Sequence, residues 1–264
     1  PIHVDKEIDL TSEKSFLLRL SIKRWYSFLN FQKKNLKAVK KVISPSLSSK
    51  NDICRYFDYP SKNISVIWNG INLNDCKFHQ RESFNANFVT IISADVPMKN
   101  LKTVLKALYL LKQDGLNAKL TIIGDLREDN NKLIERLGLT KEISYKSKLP
   151  RKQLIQSLNN ADIGIAPSKY EGFGFPLVEM IATGLPVIVS DKASLPELAG
   201  NAGLIFNSCD SNDLKEKMKE LIENAALRNK VAENSKLRRD DFFGWDEYAK
   251  KLEGLYKEII SGNI

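Results

Sequence analysis

Cysteine and histidine are both scarce in this chain of 264 residues. The three cysteines, Cys54, Cys76 and Cys209, are far apart, and the two histidines are His3 and His79. Their spacing fits neither a metal site nor a disulfide framework. We therefore expect a chain without a resident metal or cofactor, in a reducing, cytoplasmic compartment.

Long apolar runs are lacking as well. Runs such as residues 185–189 fall far short of the ~20 residues that a membrane-spanning helix needs. The chain begins at Pro1 with neither a basic start nor an apolar stretch, which predicts no signal peptide. The missing initial Met is typical of a fragment or a processed product. With 42% hydrophobic and 28% charged residues, the composition is that of a soluble globular protein.

Acidic residues are absent from Lys14 to Lys41, where nine basic residues are interleaved with leucines and aromatic residues. Residues 1–65 hold 13 basic and 6 acidic side chains and so carry most of the net charge of +9. The pattern predicts an amphipathic helix, or a helix pair, with a cationic face. Such a face suits a core-packed helix with solvated lysines, or contact with an anionic membrane surface. Nucleic acid is not expected as a partner, because no recognised binding motif accompanies the charge.

Strand-like and helix-like segments alternate after about residue 38. Short apolar segments such as 88–92, 119–123 and 162–166 are typical of strands, and 100–111 between two of them has helical periodicity. Repeated strand–helix–strand units with continuous apolar strands predict a parallel sheet covered by helices on both faces. The predicted fold class is therefore a doubly wound α/β domain, with its ligand at the carboxyl ends of the strands.

The strongest chemical signal is the segment 168–179, which follows a predicted strand and opens a predicted helix. Gly172 and Gly174 let the backbone approach a ligand closely. The free N–H groups of the helix start favour an anion, best a phosphate. Glu179, in the second turn, can pair with the two hydroxyls of a ribose, and Glu171 faces the same space from the loop. The segment therefore predicts a nucleotide site.

The residues from Glu171 to Glu179 resemble the Glu–seven residues–Glu motif of retaining glycosyltransferases of family 4, also called group 1, which have the GT-B fold. Further segments resemble other motifs of that family, in the same order and over roughly residues 38–260. They are 63–72, a strand and turn; 97–100, the phosphate-lysine loop; 122–125, a strand end; and 160–168, 183–191 and 195–197.

The resemblance implies an organisation in two domains. A Rossmann-like domain that binds the nucleotide sugar is expected at residues 76–240. Residues 1–75 would be a truncated remnant of the N-terminal, acceptor-side domain, because the family's glycine-rich acceptor loop is missing. Residues 241–264 would form a C-terminal helix that crosses back toward the N-terminal domain.

The resemblance also implies a role for each matched residue. Glu179 would hold the donor ribose, and Glu171 would lie near the donor sugar. Lys99 would neutralise the diphosphate as it becomes the leaving group. The residues expected to contact the donor are Glu179, Gly172, Phe173, Gly174, Phe175 and Lys148, the last of which would border the base. Those expected to take part in catalysis are Glu171 and Lys99.

The sequence departs from the family at residues 93–94, at residues 193–194 and at Asn72, where an Asp is common. Ser93 and Ala94 stand where a Gly-Arg pair supplies a second diphosphate clamp, for which Lys169 is a candidate substitute. Residues 193–194 stand where two glycines are common, which would narrow the donor pocket. His3 is a candidate for the family's N-domain histidine that faces the donor sugar, with an ordinary surface histidine as the alternative.

The function that follows is transfer of a sugar, with retention and without a metal, from a UDP- or GDP-linked donor to a glycan or lipid-linked acceptor. This is cell-surface polysaccharide chemistry, expected in the cytoplasm or peripherally on the inner face of the membrane. The alternative is a nucleotide-sugar-binding module that is inactive without a partner supplying the N-terminal half. A glycoside hydrolase using Glu171 and Glu179 would need carboxyls about 5–9 Å apart, and the phosphate-suited helix start between them disfavours it.

Overall fold

The computed structural model describes residues 16–36, 38–81, 83–92 and 95–262. The chain divides into two compact units, one ending at Trp68 and the other beginning at Asn69. The predicted domain limits at residues 75 and 240 stay predictions.

The first unit is a small parallel strand pair with two helices. Its elements in chain order are α1 (Phe16–Leu36), β1 (Val42–Ser44), α2 (Leu47–Phe57), a 3-10 turn (Ser61–Asn63) and β2 (Ile64–Val66). Strand β1 pairs with β2 in parallel, with Val42 opposite Ile64. The Ser46 hydroxyl begins α2 by accepting a hydrogen bond from the Ser49 N–H at 3.0 Å, which satisfies one of the free donors of the helix start.

Helix α1 is long and exposes much of its apolar surface. Within the described residues, the segment predicted as one helix or a helix pair is a single helix of 21 residues without an acidic residue in its first turn. Its exposed large apolar side chains are Phe16, Leu17, Leu18, Leu20, Trp25, Phe28 and Phe31. At the period of an α-helix, Arg19, Lys23 and Lys33 fall opposite most of these side chains, whereas Arg24 falls among them. The helix therefore exposes a largely apolar surface that also carries a basic residue.

The second unit contains a six-stranded, fully parallel sheet. Its strands are β3 (Asn87–Ile91), β4 (Lys119–Ile123), β5 (Ile143–Lys146), β6 (Ile163–Ala166), β7 (Val187–Ser190) and β8 (Gly203–Phe206). The order across the sheet is β5-β4-β3-β6-β7-β8, and Phe88 of β3 lies opposite Leu120 on one side and Ile163 on the other. The chain adds strands on one side of β3 as far as β5 and then crosses to the other side for β6. The topological switch point of the sheet therefore lies between β3 and β6.

Helices connect the strands of this sheet, and three more follow its last strand. They are α3 (Leu101–Gln113), α4 (Glu128–Arg136), α5 (Arg151–Asn159), α6 (Phe175–Ala182), α7 (Leu195–Ala199), α8 (Ser211–Glu223), α9 (Ala225–Arg239) and α10 (Trp245–Ile260), with 3-10 turns at Pro97–Lys99 and Gly200–Ala202. In the core, Phe88 and Ile163 are completely buried together with Leu111 of α3 and Met218 of α8. The strands carry continuous apolar residues because helices cover both faces of the sheet.

The order of strands and helices confirms the predicted doubly wound sheet, with two differences in the helices. Helix α4 begins at Glu128, one turn before the helix that the sequence predicts at residues 132–137, because its polar first turn carries no apolar periodicity. Helix α7 was not predicted, since its five residues are too few to show a period. Among the described residues, no helix has both the length and the apolar composition to cross a bilayer.

Candidate functional site

The site lies at the carboxyl ends of β3 and β6, where the direction across the sheet reverses and where open α/β sheets bind ligands. The turn Pro97–Lys99 follows β3, and the loop 167–174 follows β6. The Lys169 N–H donates to the Met98 carbonyl at 2.8 Å, which joins the two segments. The topology thereby brings together residues about seventy positions apart in the sequence.

Asn100 fixes the start of α3 against two other loops. Its backbone is left-handed, with φ 57°, a conformation that asparagine tolerates better than most residues. Its buried side-chain amide donates to the Pro167 carbonyl at 3.0 Å and to the Ser208 carbonyl at 2.8 Å. The loops that follow β3, β6 and β8 therefore share one side chain.

Lys99 and Glu171, both predicted to take part in catalysis, form an ion pair. The Nζ atom of Lys99 lies 2.6 Å from Oε1 of Glu171, and the two side chains are 15% and 17% exposed. The Ser168 hydroxyl donates to the same Glu171 oxygen at 2.8 Å. The Glu171 carboxylate thus supplies the counter-ion of Lys99 in this structure.

The loop between Glu171 and α6 needs a positive backbone φ at Gly174, which glycine permits. Gly174 has φ +106°, and an added Cβ would lie 3.1 Å from Cδ2 of Leu195. The buried Ser194 hydroxyl is hydrogen-bonded to the Glu171 carbonyl (3.0 Å) and to the Phe173 carbonyl (2.6 Å). A glycine at position 194 would lack this brace, so the departure from the family's two glycines has a local structural purpose that sequence reasoning missed.

Glu179 belongs to a second network, centred on Arg151 at the start of α5. Nη1 of Arg151 contacts Oε1 of Glu179, while Nε lies 3.3 Å from Oδ2 of Asp75. The third contact joins Nη2 of Arg151 to Sγ of Cys76 at 3.2 Å. Burial raises the pKa of Glu179, and the hydrogen bond and positive charge of Arg151 act against that rise. Burial also raises the pKa of the Cys76 thiol to about 11, so this thiol is neutral near pH 7.

The remaining predicted positions lie around this edge of the sheet or outside the described residues. Lys148 is exposed, with a left-handed backbone at φ 50°, on the turn between β5 and α5. Lys169 is also exposed, beside the buried Ser168. The positions of the absent arginine clamp, 93–94, and His3 lie outside the described residues.

Arg151 and Ser194 had no signal that sequence reasoning could use. Arg151 is 28 positions before Glu179 and on a different helix. In the sequence it therefore looks like any solvated basic residue at the start of a helix. Within the described ranges, no group of three or more His, Cys, Asp or Glu residues is placed to hold a metal ion.

Comparisons with known proteins agree on one family. The family model described as glycosyl transferases group 1 matches residues 76–238. The chain is 27% identical to the MMP alpha-(1->4)-mannosyltransferase of Mycolicibacterium hassiacum, over 99% of this chain and 64% of that protein. It is 25% identical to the O-antigen chain mannosyltransferase B of Escherichia coli, over 84% of this chain and 62% of that protein.

A solved structure supports the fold. The Anabaena protein HepE, in complex with UDP and glucose, matches 86% of this chain with a TM-score of 0.72 and 19% sequence identity, over 68% of its own length. Structural neighbours of this GT-B kind, together with the parallel six-stranded sheet, confirm the predicted fold class. The chain spans less than two thirds of the length of both mannosyltransferases.

Proposed function

The chain belongs to the group 1 glycosyltransferases. We propose that it is a member of family 4 and transfers a sugar with retention. The proposed donor is a UDP- or GDP-linked sugar, and the proposed acceptor is a glycan or lipid-linked glycan at the cytoplasmic face of a membrane. The observation that carries the proposal is the convergence of Lys99 and Glu171 beside the start of α6, at the switch point of the sheet.

In this proposal, the donor diphosphate takes the place of Glu171 as the partner of Lys99. The lysine ammonium is a compact charge that suits a phosphate oxygen, and the N–H groups at the start of α6 add a partial positive charge. Both act where negative charge develops on the leaving group, so they lower the barrier by electrostatic stabilisation. The proposed reaction therefore needs no metal ion.

Glu171 and Glu179 have separate tasks in this proposal. Glu171, released from Lys99, lies beside the donor sugar and accepts hydrogen bonds from its hydroxyls. Glu179 accepts hydrogen bonds from the ribose hydroxyls, as a carboxylate does in charge-assisted pairs. The loop residues Gly172, Phe173, Gly174 and Phe175 contact the diphosphate and the sugar, and Lys148 borders the base.

Calorimetric titration with UDP, GDP and ADP, followed by thermal shift with their sugar conjugates, tests the proposal. A ligand that binds the folded protein raises the melting temperature by mass action. We expect UDP or GDP to bind and ADP to bind more weakly, and the HepE complex, which holds UDP, supports the first of the two. No binding of any nucleoside diphosphate would falsify the proposed donor site.

A second candidate function is a binding module that needs another chain for activity. The shares of 64% and 62% that this chain spans of its two mannosyltransferase relatives favour considering it. Binding of a nucleotide sugar without hydrolysis or transfer would support the module, whereas release of the nucleoside diphosphate from its sugar conjugate would support the enzyme.

Replacing Glu179 with alanine is expected to weaken UDP or GDP binding by about 1.5–3 kcal/mol, because hydrogen bonds to one charged group are lost. The 2′-deoxy forms of the nucleotides should lose less affinity, since they already lack one of the two hydroxyls. Glu223→Ala, an exposed glutamate at the end of α8, is the matched control. Unchanged nucleotide affinity in a folded Glu179→Ala variant would contradict the assignment of Glu179 to the ribose.

We further propose that α1 docks on an anionic membrane surface. Its exposed apolar side chains and its basic residues Arg19, Lys23 and Lys33 suit the headgroup region of a bilayer. The whole protein should sediment with phosphatidylcholine–phosphatidylglycerol vesicles but not with phosphatidylcholine vesicles, each basic residue near the surface adding on the order of 1 kcal/mol. Binding should fall as the Debye length shortens from about 10 Å at 0.1 M salt to about 3 Å at 1 M.

The test variant replaces Arg19, Lys23 and Lys33 with glutamine, which should weaken the preference for anionic vesicles. Exchange of Lys215, Lys217 and Lys219 of α8 for glutamine removes the same charge from another helix and should leave vesicle binding intact. Equal, salt-insensitive binding to both vesicle types would contradict electrostatic docking and indicate an exposed apolar face that associates with any bilayer.

A further inference from the structure

Arg151 is the residue at which three segments of the second unit meet. It begins α5, and its guanidinium contacts Glu179 of α6 as well as Asp75 and Cys76 from the segment before β3. Three different nitrogen atoms make these contacts. A planar guanidinium with donors in a fixed fork sets the orientation of its partners, so the Glu179 carboxylate has a defined direction before any ligand arrives.

Because Glu179 is largely buried, its contact with Arg151 affects whether its carboxylate is ionised. The Glu179 side chain is only 16% exposed, and burial disfavours its charged form. The groups that face it are Arg151, which favours the charged form, Asp75, which disfavours it, and Cys76, whose thiol is neutral near pH 7. A ribose hydroxyl donates its strongest hydrogen bond to an ionised carboxylate. Arg151 therefore acts on both the charge and the direction of Glu179.

We propose that Arg151 is a positioning residue that orients the Glu179 carboxylate toward the ribose of the donor nucleotide, with Asp75 holding the guanidinium from its other side. The inference rests on the proposed function and deepens it. Arg151 contacts the ribose only through Glu179, so its effect should depend on the ribose hydroxyls and on the ionisation of Glu179. A contribution to the fold alone would depend on neither.

Calorimetric titration of UDP and GDP, each in its ribo and 2′-deoxy form, tests the inference on the whole protein. Arg151→Met should weaken ribonucleotide binding by about tenfold, as expected for loss of a charge-assisted contact that orients a partner. The ratio of ribo to deoxy affinity should fall toward one. Lys152→Met removes a cation from the next position of the same helix turn, where the side chain is exposed, and should keep the wild-type ratio.

The pH dependence of the same titrations separates positioning from folding. A carboxylate must be ionised to accept from both hydroxyls, so wild-type affinity should fall as the pH falls through the pKa of Glu179. Without Arg151 the pKa of Glu179 rises further, and the fall in affinity should begin at a higher pH. Arg151→Lys keeps the positive charge without the fork, so it should restore the wild-type pH range and only part of the affinity.

Three results would overturn the inference. A ribo-to-deoxy ratio and a pH profile in Arg151→Met equal to those of Lys152→Met would show that Arg151 does not act through Glu179. Tighter ribonucleotide binding in Arg151→Met would show that the arginine competes with the ribose. A wild-type protein that binds neither UDP nor GDP would overturn the proposed function itself and the inference with it. If Arg151→Met does not fold, Arg151→Lys decides by the ribo-to-deoxy ratio alone, which should fall below the wild-type ratio because the fork is lost; a ratio equal to that of Lys152→Met would overturn the inference.

Discussion

Lys99→Met is expected to weaken UDP or GDP binding by about a hundredfold, equivalent to about 2.7 kcal/mol, while uridine and guanosine bind within about twofold of the wild type. The reason is that Lys99 is largely buried and faces the place proposed for the diphosphate, where a charge-assisted contact is strong. Its loss also leaves the Glu171 carboxylate without a cation, and an unpaired carboxylate repels a diphosphate. Calorimetric titration with both ligand classes measures the difference.

The controls for this prediction separate charge from fold. Lys102→Met removes an exposed lysine one turn away in α3 and should leave both affinities unchanged. The double variant Lys99→Met with Glu171→Gln removes the repelling carboxylate, so it should bind UDP or GDP more tightly than Lys99→Met alone. If nucleosides and nucleoside diphosphates weaken equally in Lys99→Met, the lysine acts through the fold and not through phosphate.

Gly124→Ala is expected to lower the free energy of unfolding by about 3 kcal/mol or more. Gly124 has φ +134°, and an added Cβ would lie 1.6 Å from the carbonyl oxygen of Ile92. The neighbouring backbone cannot yield easily, because the Ile92 N–H donates to the Ile123 carbonyl at 2.8 Å and the Gly124 N–H donates to the Lys146 carbonyl at 2.9 Å. Denaturant titration measures the loss, and thermal unfolding should shift down by about 6–12 °C.

Two other glycines separate backbone conformation from collision at this position. Gly115 (φ +79°) and Gly138 (φ +64°) have nothing within 4 Å of an added Cβ. Alanine at either position should therefore lose only about 1–2 kcal/mol, from the left-handed backbone alone. A Gly124→Ala loss no larger than these two would mean that the ends of β3 and β4 can move apart.

The sequence was sufficient to predict the sheet, because each buried strand carries a continuous apolar run that local composition reveals. It also names Lys99 and Glu171 as candidate site residues, since both stand in motifs that resemble a known family. Their direct contact required the structure. Arg151 and Ser194 could not be predicted, because a single charged residue or hydroxyl has no local pattern that tells which distant segment it will contact.

The exposed face of α1 illustrates another limit of the sequence. Interleaved basic and apolar residues suit both a core-packed helix and an anionic membrane surface, since both use the same period. The structure shows that Phe16 and Leu17 are more than 70% exposed. Large exposed apolar patches mark association surfaces, and the docking proposal rests on this observation.

The Asn100 amide has a consequence for the thermodynamics of ligand capture. It joins the loops that follow β3, β6 and β8 through two carbonyls, one residue after Lys99. Ordering a flexible loop when a ligand arrives costs conformational entropy and reduces affinity. Here that entropy is lost when the chain folds, so an arriving nucleotide meets a frame already assembled. For the described segments 97–100 and 167–174, the proposed binding should then require an exchange of partners by Lys99 rather than the ordering of a loop.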